Sequence, residues 1–354
     1  MKFLLLDQFE IFQLVILMIC LTLSNIFLIQ YWQKINLFFN LETYKNIQSV
    51  HERNIPRMGG LLIFTIYFFY IAAVSKYDKF FFYLLLSFLP TAIISIKEDL
   101  FQNTTQTSRI FVMILSCLIF FNIDQTNFPL INLPILRFLY LNNYILLGFF
   151  IFSSLVIMNG SNLIDGMNGL FGMSILIQLI TIIFMASILN DLEVFKIGII
   201  ILLPVIVYLF FNYPLGKIFM GDFGAYFFGF ALSILVIKLF GNNKELLSWN
   251  AVLILFYPSM ELLFSFIRKV FYEKKNPLKA DDLHLHTLVY KLGLQMNIKP
   301  NLANNMVVIF LAPFWISPFT VVKIFNDLNL ILFTLFLLSS IYISSYFFLR
   351  KNLK

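Results

Sequence analysis

Long apolar runs and short polar connections alternate along the whole chain. A helix rising about 1.5 Å per residue needs roughly 17–25 apolar residues to cross the hydrocarbon core of a bilayer. Runs near that length fall at 10–32, 58–75, 80–97, 109–122, 143–159, 168–189, 196–212, 222–240, 249–267, 303–323 and 328–349. The pattern predicts about eleven transmembrane helices, with 109–122 the shortest. The stretch 123–142 carries Pro129 and Pro134 and reads as a loop or a short interfacial piece. No internal repeat stands out, so the inverted-repeat signature of many transporters is not visible.

Composition agrees with the pattern. Apolar residues make up 60% of the 354, charged residues 12%, and the mean hydropathy is +0.88. Soluble chains run at roughly 45–50% apolar and about 25% charged. With 45 Phe, 14 Gly and 11 Pro, disorder and collagen-like repeats are excluded. Cys20 and Cys117 lie inside apolar runs, where a thiol behaves as a small hydrophobe, so no disulfide scaffold is indicated. The reading is an all-α polytopic membrane protein, one integral-membrane domain over residues 1–354. Its first apolar run follows Asp7 and Glu10 with no small-residue cleavage site, and reads as a span rather than a removed signal peptide.

A net charge of +7 would suit nucleic acid in a soluble protein. In a membrane protein, basic residues gather in cytoplasmic loops, and no nucleic-acid partner is expected. Assigning the connections alternately to two sides puts 17 of the 25 basic residues on one of them. That side is read as cytoplasmic, with the N-terminus outside and the C-terminus in the cytoplasm.

The polar clusters follow the same alternation. Arg53-Asn54-Ile55-Pro56-Arg57, Glu98-Asp99, Asn159 to Asn168, Phe211 to Asp222 and Asp281 to His286 all fall on the basic side. Chance would scatter them over both faces, so an active site at the cytoplasmic face is expected. Glu98 and Asp99 are either a solvated helix end or a coupled carboxylate pair that invites Mg²⁺. Asn159, Asn162 and Asp165 recur every three residues and share a face if the helix continues, although Gly166 and Gly169 argue for a turn. Asp222 can cap the helix it opens, but that does not account for Lys217 nearby, which suits a diphosphate. His284 and His286 lack the further ligands of a zinc site and fit protonatable contacts to phosphate.

At these residues the sequence resembles the polyprenyl-phosphate N-acetylhexosamine-1-phosphate transferases. That superfamily includes enzymes starting O-antigen and teichoic-acid linkage units, and the peptidoglycan translocase. The pieces run in order: Arg53-x-Ile55-Pro56-Arg57-x-Gly59-Gly60, the acids 98–99, Asn159-x-x-Asn162-x-x-Asp165-Gly166, Phe219-Met220-Gly221-Asp222-x-Gly224 and His284-x-His286. The resemblance implies transfer of a HexNAc 1-phosphate from a UDP-sugar to polyprenyl (undecaprenyl) phosphate in a bacterial inner membrane, with release of UMP. Mg²⁺, or Mn²⁺ in its place, would be held by Asp222, Asn162 and Asp99. Glu98 would be the base, supported by Asp99, with Asp165, His284 and His286 also catalytic. Arg53, Arg57, Asn159, Asn162, Asn212 and Lys217 would bind substrate. Expected partners are the UDP-HexNAc, with UDP-GlcNAc as the default donor, the lipid phosphate and the membrane, with a homodimer left open. The chain departs from the family at Glu98, where Asp is usual, at Asn168 in place of a second acid, at Ala280-Asp281-Asp282 and at Thr287. Competing readings are a transporter of lipid-linked sugars and a catalytically inactive relative serving as a scaffold.

Overall fold

The computed structural model describes residues 8–39, 55–73, 79–124, 127–131, 142–279, 281–322 and 327–353. Among these no strand occurs, and all eleven apolar runs fall on helix. The helices are α1 (Gln8–Phe39), α2 (Gly59–Ala73), α3 (Lys79–Phe101), α4 (Gln106–Asp124), α5 (Asn143–Ile164), α6 (Leu170–Leu189) and α7 (Leu192–Asn212). They continue with α8 (Gly221–Asn242), α9 (Trp249–Ile254), α10 (Phe256–Ile267), α11 (Leu285–Gln295), α12 (Pro300–Leu311), α13 (Pro313–Val321) and α14 (Leu328–Asn352). The protein is an all-α, multi-pass membrane protein.

Nine of the described helical segments are long and apolar enough to cross a bilayer, against about eleven expected. The difference has two sources. Helix α2 is short, 15 residues. The run 249–267 divides at Leu255 into α9 and α10, because Pro258 has no N–H to offer the carbonyl of Ile254. Of the stretch 123–142, residues 127–131 are irregular, while 125–126 and 132–141 lie outside the described residues.

Helix α8 is the axis of the bundle, buried almost end to end and packed by α2, α3, α5, α6 and α7. Its Phe223 and Phe227 meet Phe64 of α2 and Phe88 of α3 edge-to-face, with ring centroids 5.3–5.6 Å apart. Where α2 crosses α8 the backbones nearly touch: a Cβ on Gly60 would stand 2.1 Å from the Gly224 Cα. Small residues that let backbones close in this way hold helices together where lipid supplies no hydrophobic drive.

The two ends of α8 are chemically different. Near its C-terminus the half-buried Lys238 pairs with Asp124 at 3.0 Å and Glu193 at 3.3 Å, and lies 4.5 Å over the Phe80 ring. That end therefore gathers the end of α4 and the starts of α3 and α7. The connections after α3, α5 and α7 meet at the opposite end, around the first turn of α8.

Candidate active site

A helix begins with backbone N–H groups that have no partner within the helix. In α8 they are taken by two carboxylates from distant parts of the chain. The Gly221 N–H donates to Asp165 Oδ2 at 3.0 Å, just past the end of α5. The N–H groups of Asp222 and Phe223 donate to Asp99 Oδ1 at 2.8 Å and Oδ2 at 3.0 Å, on the last turn of α3. Negative charge is favoured at this position by the helix dipole as well as by the hydrogen bonds. The segment before α2 is stitched to the same turn. Phe219 N–H donates to Pro56 O at 2.9 Å, and Gly59 and Gly60 donate to the carbonyls of Phe219 and Met220 at 3.2 and 3.1 Å.

The Asp222 carboxylate faces away from these bonds and meets Arg109 Nη1 at 2.6 Å. The same guanidinium stands 3.8 Å from Glu98 Oε1, while Glu98 Oε2 accepts the Thr104 N–H at 3.0 Å and hydroxyl at 2.6 Å. Arg109 Nε is buried without a hydrogen-bond partner. Tyr226 lies beside Arg109 at 3.5 Å and next to the Asn162 side chain. Asp165 accepts from the Tyr208 hydroxyl at 3.1 Å. Burial pushes the Asp165 carboxyl up to about 7, against the opposing pull of Arg57, the Gly221 N–H and Tyr208. The arrangement joins four carboxylates to two guanidiniums and the positive end of a helix, a setting in which anions and cations can both be held.

The structure thus brings Glu98, Asp99, Asn162, Asp165 and Asp222 together, with Arg57 exposed at the edge. Asn159 turns back, its amide donating to Leu155 O at 2.8 Å. Lys217 is exposed and forms no ion pair among the described residues. Asn212 is fully buried: its Oδ1 accepts from Gly169 N–H at 2.6 Å and its Nδ2 donates to Ile218 O at 2.8 Å. Its amide therefore ties the loop after α5 to the loop before α8. Asn212→Ala is expected to lower stability by about 2 kcal/mol, since two buried backbone groups lose their partners; thermal unfolding in detergent would measure it. Arg53 lies outside the described residues. His284 and His286 form a second cluster on Glu261 of α10, where burial lowers the His286 pKa against the raising effect of Glu261. Helix α10, which carries Glu261, packs against α5, where a Cβ on Gly160 would stand 2.2 Å from the Pro258 carbonyl oxygen.

Sequence reasoning passed over Arg109, Tyr226, Tyr208 and Glu261. Two of them carried a signal: Arg109 opens an otherwise uncharged run, and Glu261 is the single charge within 249–267. An ionisable residue within an apolar span is costly and marks a function by default.

Among the described residues no group of three His, Cys, Asp or Glu side chains is arranged to hold a metal by itself. Asp99 has both carboxylate oxygens engaged by α8 backbone. What remains is one carboxylate, Asp222, and one amide oxygen, Asn162. That hard, oxygen-only set fits a Mg²⁺ completed by substrate phosphates and water, the usual way this ion is bound beside a nucleotide.

Residues 81–240 match glycosyl transferase family 4. The matched stretch covers α3 to α8, the helices that supply Glu98, Asp99, Arg109, Asn162, Asp165 and Asp222. Arg57, Glu261, His284 and His286 lie outside it. The chain is also 25% identical over 296 residues to the probable undecaprenyl-phosphate N-acetylglucosaminyl 1-phosphate transferase of Bacillus subtilis (strain 168). The alignment takes in 82% of this chain and 79% of that protein. Both findings support the superfamily that the motifs resemble.

Proposed function

We propose that the chain transfers a HexNAc 1-phosphate from a UDP-sugar to undecaprenyl phosphate at the cytoplasmic surface of a bacterial inner membrane. One observation carries the reading: connections far apart in sequence deliver Asp99, Asp165, Asp222 and Arg109 to the first turn of one buried helix. The glycosyl transferase family 4 match and the Bacillus relative supply the substrate class. A water-soluble nucleotide sugar and a lipid that cannot leave the bilayer must react at an interface, which is where a site at the end of a helix bundle lies.

In the transfer, an oxygen of the lipid phosphate attacks the β-phosphorus of the UDP-sugar. The new P–O bond forms as the bond to the bridging oxygen breaks, and UMP leaves with that electron pair. A phosphate monoester has its second pKa near 6 and is mostly dianionic at neutral pH, so the step requires orientation and charge neutralisation more than a strong base. Glu98 would take any remaining proton. Arg109 and Arg57 would draw the phosphates in, and Asp99 and Asp165 would hold the α8 start against which they line up. Asp222 and Asn162 would hold Mg²⁺, or Mn²⁺ in its place; such an ion neutralises charge at the diphosphate.

The test is release of UMP by the purified chain given Mg²⁺, undecaprenyl phosphate and a panel of UDP-HexNAc donors, UDP-GlcNAc first. Turnover should stop with EDTA and return on adding Mg²⁺. Silence across the panel from folded protein would overturn the proposal in favour of an inactive scaffold.

A further inference from the structure

The turn that carries Asp165 is gripped by a helix from outside the stretch 81–240. It runs from Asp165 to Gly169, between α5 and α6, and Asn168 lies buried within it. The backbone N–H of Asn168 donates to Asn304 Oδ1 at 2.8 Å. Its side-chain Nδ2 donates to Asn305 Oδ1 at 2.9 Å and to the Pro214 carbonyl oxygen at 3.4 Å. Asn304 and Asn305 are neighbours on α12, and Pro214 belongs to the connection that leads into α8. Helix α12 rests in turn on α11, where a Cβ on Gly293 would stand 2.9 Å from the Ala303 Cβ. Two adjacent amides of α12 thus meet one residue of the turn, one at its backbone and the other at its side chain.

The surroundings fix what can stand at 168. A backbone carbonyl only accepts, so the group that faces Pro214 must be a donor, and this turns Nδ2 toward Pro214 and Asn305. An ionised carboxylate has no donor to give. Asn305 could rotate its own amide to meet an acid, but the Pro214 carbonyl could not. A longer amide has no room, because Asn168 Oδ1 faces Gly216, where an added Cβ would stand 2.6 Å away. Asn168, which stands where the family pattern has a second acid, is therefore matched to α12. Three residues before it, Asp165 accepts the Gly221 N–H at 3.0 Å and the Tyr208 hydroxyl at 3.1 Å. With the turn pinned at Asn168 by α12 and at Gly169 by Asn212, Asp165 is held against the start of α8.

We propose that Asn168 is a positioning residue, latching the Asp165 turn to α12 through Asn304 and Asn305, and that the latch requires an amide at 168. Asn168 touches no substrate atom; it acts through the turn it holds. The contribution of that turn to turnover rests on the transferase reading above, whereas the latch rests on the hydrogen bonds.

Asn168→Asp installs the acid of the family pattern. It should lower kcat for UMP release about 10–100-fold with little change in the donor KM, since a small misplacement of a site group can cost about 100-fold in rate. Asn168→Ala and Asn305→Ala should each lower kcat. Their double variant should lose less than the product of the two single losses, because both remove the same contact. The unfolding midpoints of these variants in detergent should show the same shortfall. Full activity in Asn168→Asp, or single losses that multiply in the double variant, would overturn the latch. Lower midpoints with unchanged kcat would overturn it too, leaving a contact that serves the fold alone. If folded protein releases UMP from no donor, the transferase reading falls and the midpoints decide. A shortfall there upholds the contact, and additive shifts remove it.

Discussion

Asp222→Ala should lower kcat for UMP release by about 10²–10³-fold, as removal of a group aimed at developing charge usually does. That is about 3–4 kcal/mol of transition-state stabilisation. The reason lies in how Asp222 divides its two polar ends. Its backbone N–H belongs to the fold, donating to Asp99 Oδ1 at 2.8 Å, and the substitution leaves that bond intact. Its carboxylate belongs to the site, with 22% of the side chain exposed and Arg109 as its partner at 2.6 Å. A partly exposed ion pair contributes on the order of 1 kcal/mol or less, so the unfolding midpoint should hardly move. Asp222→Asn tests charge separately from shape and should fall nearly as far as Ala. A parallel loss of stability and turnover in both variants would mean that Asp222 supports the bundle rather than the reaction.

Sidedness was the most legible feature. The alternation of spans placed Glu98-Asp99, Asn159 to Asn168 and the loop before Asp222 at one end, and the α8 first turn gathers them there. Spacing could not tell which part of each residue would be used. Asp99 and Asp165 resemble catalytic acids in the sequence, yet each has oxygens committed to α8 N–H groups. Arg109 was hidden for a different reason: it stands ten residues beyond Asp99 across a turn, and only the packing of α3, α4 and α8 brings it to Asp222. The His284-x-His286 spacing gives no hint of the α10 carboxylate beside the pair, which lies 23 residues upstream of His284. The break between α9 and α10 was missed by reading 249–267 as one span, although Pro258 carried the signal, since a missing donor acts on its own helix and needs no tertiary context.

Gly221→Ala should damage fold and activity together. Gly221 has φ +75°, in the left-handed region, where an L-residue costs roughly 1–2 kcal/mol. Space is the larger obstacle. An added Cβ would stand 1.9 Å from the Arg57 carbonyl oxygen and 2.8 Å from each oxygen of Asp99. The first of these is backbone, held by the stitching between residues 56–60 and 219–220, and it can yield only if that stitching opens. Opening it moves Arg57 outward and shifts the N–H groups that seat Asp99 and Asp165. The apparent unfolding midpoint should drop by several degrees, as a loss of a few kcal/mol does in a domain of this size, and UMP release should fall with it. Gly148→Ala in α5 is the matched control, because nothing lies within 4 Å of a Cβ there. If Gly221→Ala kept the midpoint and the turnover of that control, the first turn of α8 would not be the pivot on which the acids and Arg57 are assembled.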